Sequence, residues 1–457
     1  MQFLAVGRLL VFASAALPAQ GFQHAVAQAE LLGARTGLAV IDNDGPVQKL
    51  SRADEPFAPA SNMKLCTAAA VLSGLGGGFE FKTRFELVAG RLVVHAGGDP
   101  NWIMGTPYAS EVAFAAVVSA LQRLGIAEIR GVALMAGAFT GPTRPSTWPA
   151  DQLDTYYCAP TGPFVLEQGT FLLRVNPAQG SAEVAILAPV TRTQIEGHIL
   201  PVEAKKGAVY GAIDTDVAVR VSGKVWQKAS PAQIRVAVHD PAAWFLRAFE
   251  LALHRGGIKV TSEAPESAAM VLEYSTPLQV ALRRMLLDSS NFDAEQCLRV
   301  LGAESIKDGS LHGGIEAGTA QIARLLRKVP AQFVMADGSG LSRENRVTPT
   351  MMVQLVALMV HGANKDSFLA ALPIASESGT LESRFEGSKV AGRVRAKTGW
   401  IRGVSALSGV LQRADGSSCV FSILMNYDAT KGGLNPQLKQ LQEQIVEALD
   451  RPAMGSR

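Results

Sequence analysis

The chain has 457 residues, a length that predicts about three domains at roughly 150 residues each. Its 43 basic and 40 acidic residues leave a net charge of +3, which excludes the basic footprint of a nucleic-acid-binding protein. Charged residues make up 18% and hydrophobic residues 48%, so the chain is no disordered polyampholyte and has ample material for a core.

Taken from the N-terminus, one charge at Arg8 precedes the apolar stretch Leu9 to Leu17, and Ala25-Val26-Ala27 supplies small residues for cleavage. That is the pattern of a secretory signal peptide, assigned to 1–27, and the run is too short to span a bilayer comfortably. No later segment reads as transmembrane, since even the apolar run Met351 to Val360 is interrupted by Gln354. Thr36 to Asp42 alternates as a strand, and Asn43-Asp44-Gly45 signals a hairpin turn. Pro56 and Pro59 lead into a helix that starts near Ser61 and ends at Gly74. The glycines from Gly74 to Gly78 follow a helix rather than a strand, so they read as a helix exit and not a phosphate loop.

From about Phe81 to Thr261 the texture changes. Short strands at Arg91 to His95, Phe171 to Val175, Glu183 to Ala188 and Val217 to Val221 alternate with turns, and one helix is predicted over Glu111 to Leu124. This stretch reads as an inserted, mainly β, α+β region of two smaller domains. Helices return at Leu278 to Leu287 and Asp293 to Leu301, on either side of a Ser-Ser-Asn break, and again from Pro349 to Val360, where Met351, Met352 and Met359 read as core. Strands at Val404 to Leu411 and Cys419 to Asn426 precede a closing helix from Pro436 to Leu449. Strands at both ends around a helical centre predict one sheet built from the two termini. The four cysteines, Cys66, Cys158, Cys297 and Cys419, permit three disulfide pairings in an exported chain, but their spacing and apolar neighbours predict buried thiols. No Cys-x-x-Cys or His-Glu-x-x-His occurs and the seven histidines are scattered, so no metal or other cofactor is expected.

Three short motifs carry chemistry. In Ser61-Asn62-Met63-Lys64, positions i and i+3 share a helix face, so the Lys64 amine can reach the Ser61 hydroxyl and act as the base that a serine nucleophile needs. Ser289-Ser290-Asn291 sits at the helix break, where taken alone it is an ordinary N-cap. Lys397-Thr398-Gly399, followed by Trp400, offers a cation, a hydroxyl and a glycine beside a strand, a combination suited to a substrate carboxylate. His239-Asp240 suggests half of a serine triad, but no Gly-x-Ser-x-Gly elbow accompanies it.

In this order the motifs resemble the signature of the serine penicillin-recognising enzymes. The wider chain resembles the low-molecular-mass class C penicillin-binding proteins, the D-alanyl-D-alanine carboxypeptidase/endopeptidase family. The likeness extends to Gly97-Gly98-Asp99-Pro100, the segment from Asp337 to Arg343, Leu372-Pro373-Ile374-Ala375 with Gly379-Thr380-Leu381, and the run from Gly403 to Gly409. The resemblance implies a β-lactamase/transpeptidase-like α+β fold. It would be divided into 28–80 and 262–457, with the inserted domains in 81–261. It implies a serine-type D-Ala-D-Ala carboxypeptidase, with endopeptidase action as a further outcome, exported to the periplasm or cell wall and acting on peptidoglycan peptides. Ser61 would form the acyl-enzyme, Lys64 would take its proton, and Ser289, near Lys64 and Asn291, would relay a proton to the leaving amine. Lys397 and Thr398 would hold the substrate carboxylate, Gly399 would let the strand edge approach the substrate backbone closely, and the backbone N–H groups of Ser61 and Trp400 would hold the oxyanion. β-Lactams would inhibit through the same site. No nucleic-acid partner and no membrane span in the mature chain are expected. A β-lactamase-like hydrolase and a non-catalytic peptidoglycan-binding scaffold are the competing readings. Two positions depart from the family pattern: Trp400-Ile401 replaces a smaller or hydroxylated residue followed by Leu, and Asp288 stands where many relatives carry Lys.

Overall fold

The computed structural model describes residues 21–178, 180–203, 210–215, 217–328 and 331–451. The apolar stretch from Leu9 to Leu17 lies outside these residues. A central antiparallel sheet runs in the order 394–401, 404–412, 418–427, 34–42 and 48–51, so the two ends of the sequence do build one sheet. Period-two alternation divides its side chains between two cores. Leu38, Val40, Leu407, Phe421 and Ile423 face the terminal helices Gly21–Leu31 and Asn435–Leu449, whereas Ala39, Ile41, Ala406, Val420 and Leu424 face a helical layer. The middle of that layer is the helix Met63–Leu75, whose residues 63–72 are all buried. A helix that is apolar all round needs cover on every side. Helices Leu278–Leu287, Asn291–Ile306, Leu311–Leu326 and Pro349–His361 supply it, and Met351, Met352 and Met359 lie in this core as expected.

Between these parts, among the described residues, lie further β-sheets. Strands Glu80–Val88, Arg91–His95, Val132–Met135 and Ala269–Pro277 form a sheet with helices Ser110–Arg123 and Pro241–Arg255 packed on it. Two three-stranded sheets enclose another core around Phe171, Val219 and Trp244, where Phe171 and Trp244 stack with ring centroids 5.1 Å apart. The helix Pro241–Arg255, with Asp240 capping its first turn, is an addition to the single helix read from sequence in this stretch. Ala269–Pro277 pairs with Glu80–Val88, and the helical layer resumes with the helix Leu278–Leu287.

Phe22 and Ala25 of the N-terminal helix are buried against the C-terminal helix region, so a cut after Ala27 would remove more than half of a packed helix. The four cysteines are free and buried, as read from their neighbours. Among the described residues no helix is long and apolar enough to cross a membrane.

Candidate active site

The first motif opens the buried helix. A single 3-10 turn, Ala60–Asn62, runs into Met63, and this turn leaves Ser61 half-buried at the helix start. Three residues further along the same face, the fully buried Lys64 holds its Nζ 3.0 Å from Ser61 Oγ. The same amine donates to Asn291 Oδ1 at 2.7 Å and to the Ser339 carbonyl at 2.7 Å. Burial lowers the Lys64 pKa to about 7, against an opposing pull from Asp337 and Glu295. A half-neutral amine beside a hydroxyl is the arrangement that general-base activation of serine requires.

The second motif is brought to the first only in part. Ser290 caps the helix Asn291–Ile306 by accepting from Asp293 N–H, and Asn291 thereby points into the site. Asn291 Nδ2 also donates to the Tyr157 carbonyl at 2.9 Å, a contact from the inserted region. Ser289 has φ +63 and makes no hydrogen bond among the described residues, so the expected link to Lys64 is carried here by Asn291 alone.

The third motif lies within the strand Val394–Ile401, at the outer edge of the central sheet. Ala396 N–H donates outward to the Pro373 carbonyl, so by alternation the N–H groups of Thr398 and Trp400 also point away from the neighbouring strand. Asn62 Nδ2 donates to the Lys397 carbonyl at 2.9 Å and ties this strand to the Ser61 turn. At Gly399 a Cβ would lie 2.7 Å from the Pro59 carbonyl, so glycine is what permits that approach. Lys397 is buried, and its Nζ donates to the Thr398 carbonyl at 3.0 Å. Burial first, and then the neighbouring Lys64, hold its pKa well below the ordinary lysine range, while Asp288 pulls it upward. Thr398 Oγ1 pairs with Thr380 Oγ1 at 2.9 Å. Trp400 is 58% exposed, and Asp288 is exposed at the end of Leu278–Leu287.

Sequence reading missed the layer beneath. Glu295 follows Asn291 by four residues, on the same helix face, and its carboxyl accepts from Ser339 N–H at 2.7 Å and Gly338 N–H at 3.0 Å. It thereby fixes the carbonyl that Lys64 uses. Burial, followed by the Asp337 charge, pushes its pKa up to about 8. Asp337 accepts from Gly340 N–H, Ser342 N–H, Asn345 Nδ2 and, across the insertion, Trp148 Nε1. A glutamate one turn beyond Asn291 in a mostly apolar helix is the signal that could have been read from sequence.

Residues 19–451 match the model of the D-Ala-D-Ala carboxypeptidase 3 (S13) family. The chain is 31% identical over 435 residues to a D-alanyl-D-alanine carboxypeptidase from Actinomadura sp. (strain R39), covering 87% of this chain and 78% of that one. It is 24% identical over 407 residues to the D-alanyl-D-alanine carboxypeptidase DacB of Haemophilus influenzae, covering 83% and 82%. Among solved structures, penicillin binding protein 4 from Haemophilus influenzae superposes with a TM-score of 0.78 at 21% identity, over 95% of this chain and 100% of that one. At that identity the likeness establishes the fold, which is the one expected from the motifs.

Proposed function

Because the chain belongs to the D-Ala-D-Ala carboxypeptidase 3 (S13) family, we propose that its serine-type D-Ala-D-Ala carboxypeptidase activity runs through an acyl-enzyme on Ser61. The observation that carries this reading is the Lys64 amine, buried, 3.0 Å from Ser61 Oγ and held by Asn291 and Ser339. Neutral Lys64 removes the hydroxyl proton as Ser61 Oγ attacks the carbonyl of the terminal D-Ala–D-Ala bond in a peptidoglycan peptide. The N–H groups of Ser61 and Trp400 stabilise the oxyanion, since donors already aimed at developing charge need no reorganisation. Lys397 and Thr398 take the substrate carboxylate, with Gly399 allowing close approach. The Ser289 hydroxyl relays the proton taken up by Lys64 to the departing D-alanine amine as the C–N bond breaks, and water then releases the acyl group. A D-amino-acid crosslink offers the same carbonyl, so endopeptidase action uses the same groups. A β-lactam acylates Ser61 and leaves slowly. The apolar N-terminal stretch supports export, to a site facing the cell wall.

Labelling with a fluorescent penicillin, together with D-alanine release from a muropeptide pentapeptide, tests this. Both are expected for the wild-type chain and absent in Ser61→Ala. Rapid steady-state penicillin turnover would instead identify a β-lactamase, and a folded wild-type chain that takes no label would identify a binding scaffold.

A further inference from the structure

Glu167, Gln168 and Gly169 are three consecutive residues with left-handed backbone, at φ +51, +58 and +68. Two of them are not glycine, and such positions persist only where the surroundings over-determine them. Here the surroundings do. The Glu167 carboxylate is fully buried and accepts from Met104 N–H at 2.5 Å and Arg235 Nη1 at 3.3 Å, and the Glu167 N–H donates to the Trp102 carbonyl. A Cβ on Gly169 would fall 2.3 Å from the Pro160 carbonyl, so the kink is closed from that side as well.

The kink projects Gln168 onto the helix break of the second motif. Gln168 Nε2 donates to Ser290 Oγ at 3.0 Å and to Asp293 Oδ2 at 2.7 Å. Asp293 is fully buried and is itself held by Arg284 from the preceding helix, through Nε at 3.1 Å and Nη2 at 2.6 Å. The residue between these anchors, Ser289, is also in left-handed backbone. Strain on both sides of one contact, far in sequence but adjacent in space, points to a shared task.

We propose that Gln168 is a positioning residue through which the inserted region holds the Ser289–Asn291 bend in register with Lys64. The inference rests on the acyl-enzyme reading above, and it gives the insertion a role in the chemistry. Asn291 must keep its Oδ1 on the Lys64 amine, and a displacement of that kind by about 1 Å costs on the order of a hundredfold in rate.

The test uses the full chain with Gln168→Gly and Gln168→Glu. Glycine relaxes the backbone and removes the amide. Glutamate keeps the length but replaces the donor with an acceptor facing Asp293. For both variants the acylation rate with a fluorescent penicillin is expected to fall about 10- to 100-fold. With a D-Ala-D-Ala peptide, kcat should fall while KM stays within about twofold. The Gln168→Gly melting temperature should stay close to wild type, because relief of the left-handed backbone offsets much of the lost hydrogen bonding, and a purely structural role would not combine that with lost rate. Amide hydrogen exchange should quicken at 289–293 and stay unchanged at 63–75. Normal acylation by both variants overturns the proposal, as does a rate loss that merely follows a lowered melting temperature. Exchange is read without substrate, so unchanged exchange at 289–293 refutes the tether whatever the enzyme acts on. A wild-type chain that takes no penicillin label refutes the catalytic reading alone.

Discussion

Lys64 has no exposed surface, and its three hydrogen-bond partners come from three separate parts of the chain: Ser61, Asn291 and Ser339. Burial removes hydration from the ammonium and favours the neutral amine, while the Asp337 and Glu295 charges limit how far the pKa falls, to about 7. The sign follows directly. Below pH 7 Lys64 is mostly protonated and cannot accept the Ser61 proton, and above it the neutral base dominates. Acylation of the wild-type enzyme, followed by stopped flow across this range, should therefore rise with pH to half-maximum near pH 7 and then level off. A Lys64→Arg enzyme, always charged, should lose about 10²- to 10⁴-fold. A flat profile between pH 5 and 9 would contradict the role of Lys64 as base.

Element packing explains why these side chains meet. The loop from Asp337 to Ser342 runs across the start of the helix Met63–Leu75, and Gly340 has φ +85 with its Cα against Ala60. A Cβ there would lie 1.8 Å from the Ala60 carbonyl, which is backbone and cannot swing aside. Gly340→Ala should cost about 3 kcal/mol from strain and overpacking, measured by urea unfolding. It should also move the Ser339 carbonyl off Lys64 and slow acylation at least about tenfold. The helix Asn291–Ile306 makes the complementary contacts. Its buried Gln296 and Arg299 have no polar partner on their own helix, and they bond instead to Gly98, Thr140, Thr161 and Gly162 of the insertion. Buried polar side chains must find partners, so this helix requires the inserted backbone beside it.

On the scale of the whole molecule, the termini close the sheet and then cover it. Phe22, Ala25 and Ala29 pack in the same core as Leu438, Ile445 and Val446 of the last helix. A chain beginning at Gln28 should therefore melt several degrees below one beginning at Gly21, because it loses the Phe22 side chain, worth about 3 kcal/mol when buried. Equal melting temperatures by calorimetry would show that residues 21–27 contribute nothing to the fold.

The sequence alone determined the reach of Lys64 to Ser61, because an i to i+3 spacing on a helix is local geometry. It also determined the alternating strand at 36–42, the strands at 404–411 and 419–426, and the helix that starts near Ser61. Local signals carried little beyond that. Glu295, Tyr157 and Gln168 carry no motif, and each acts on the site through a contact with sequence-distant residues. The tertiary structure alone decided that Asn291, rather than Ser289, holds the Lys64 amine, and that the insertion borders the catalytic centre. The physical reason is that a buried amine takes whichever oxygen the packed helices bring within hydrogen-bond range, and the packing of helices more than two hundred residues apart is set by the core they share.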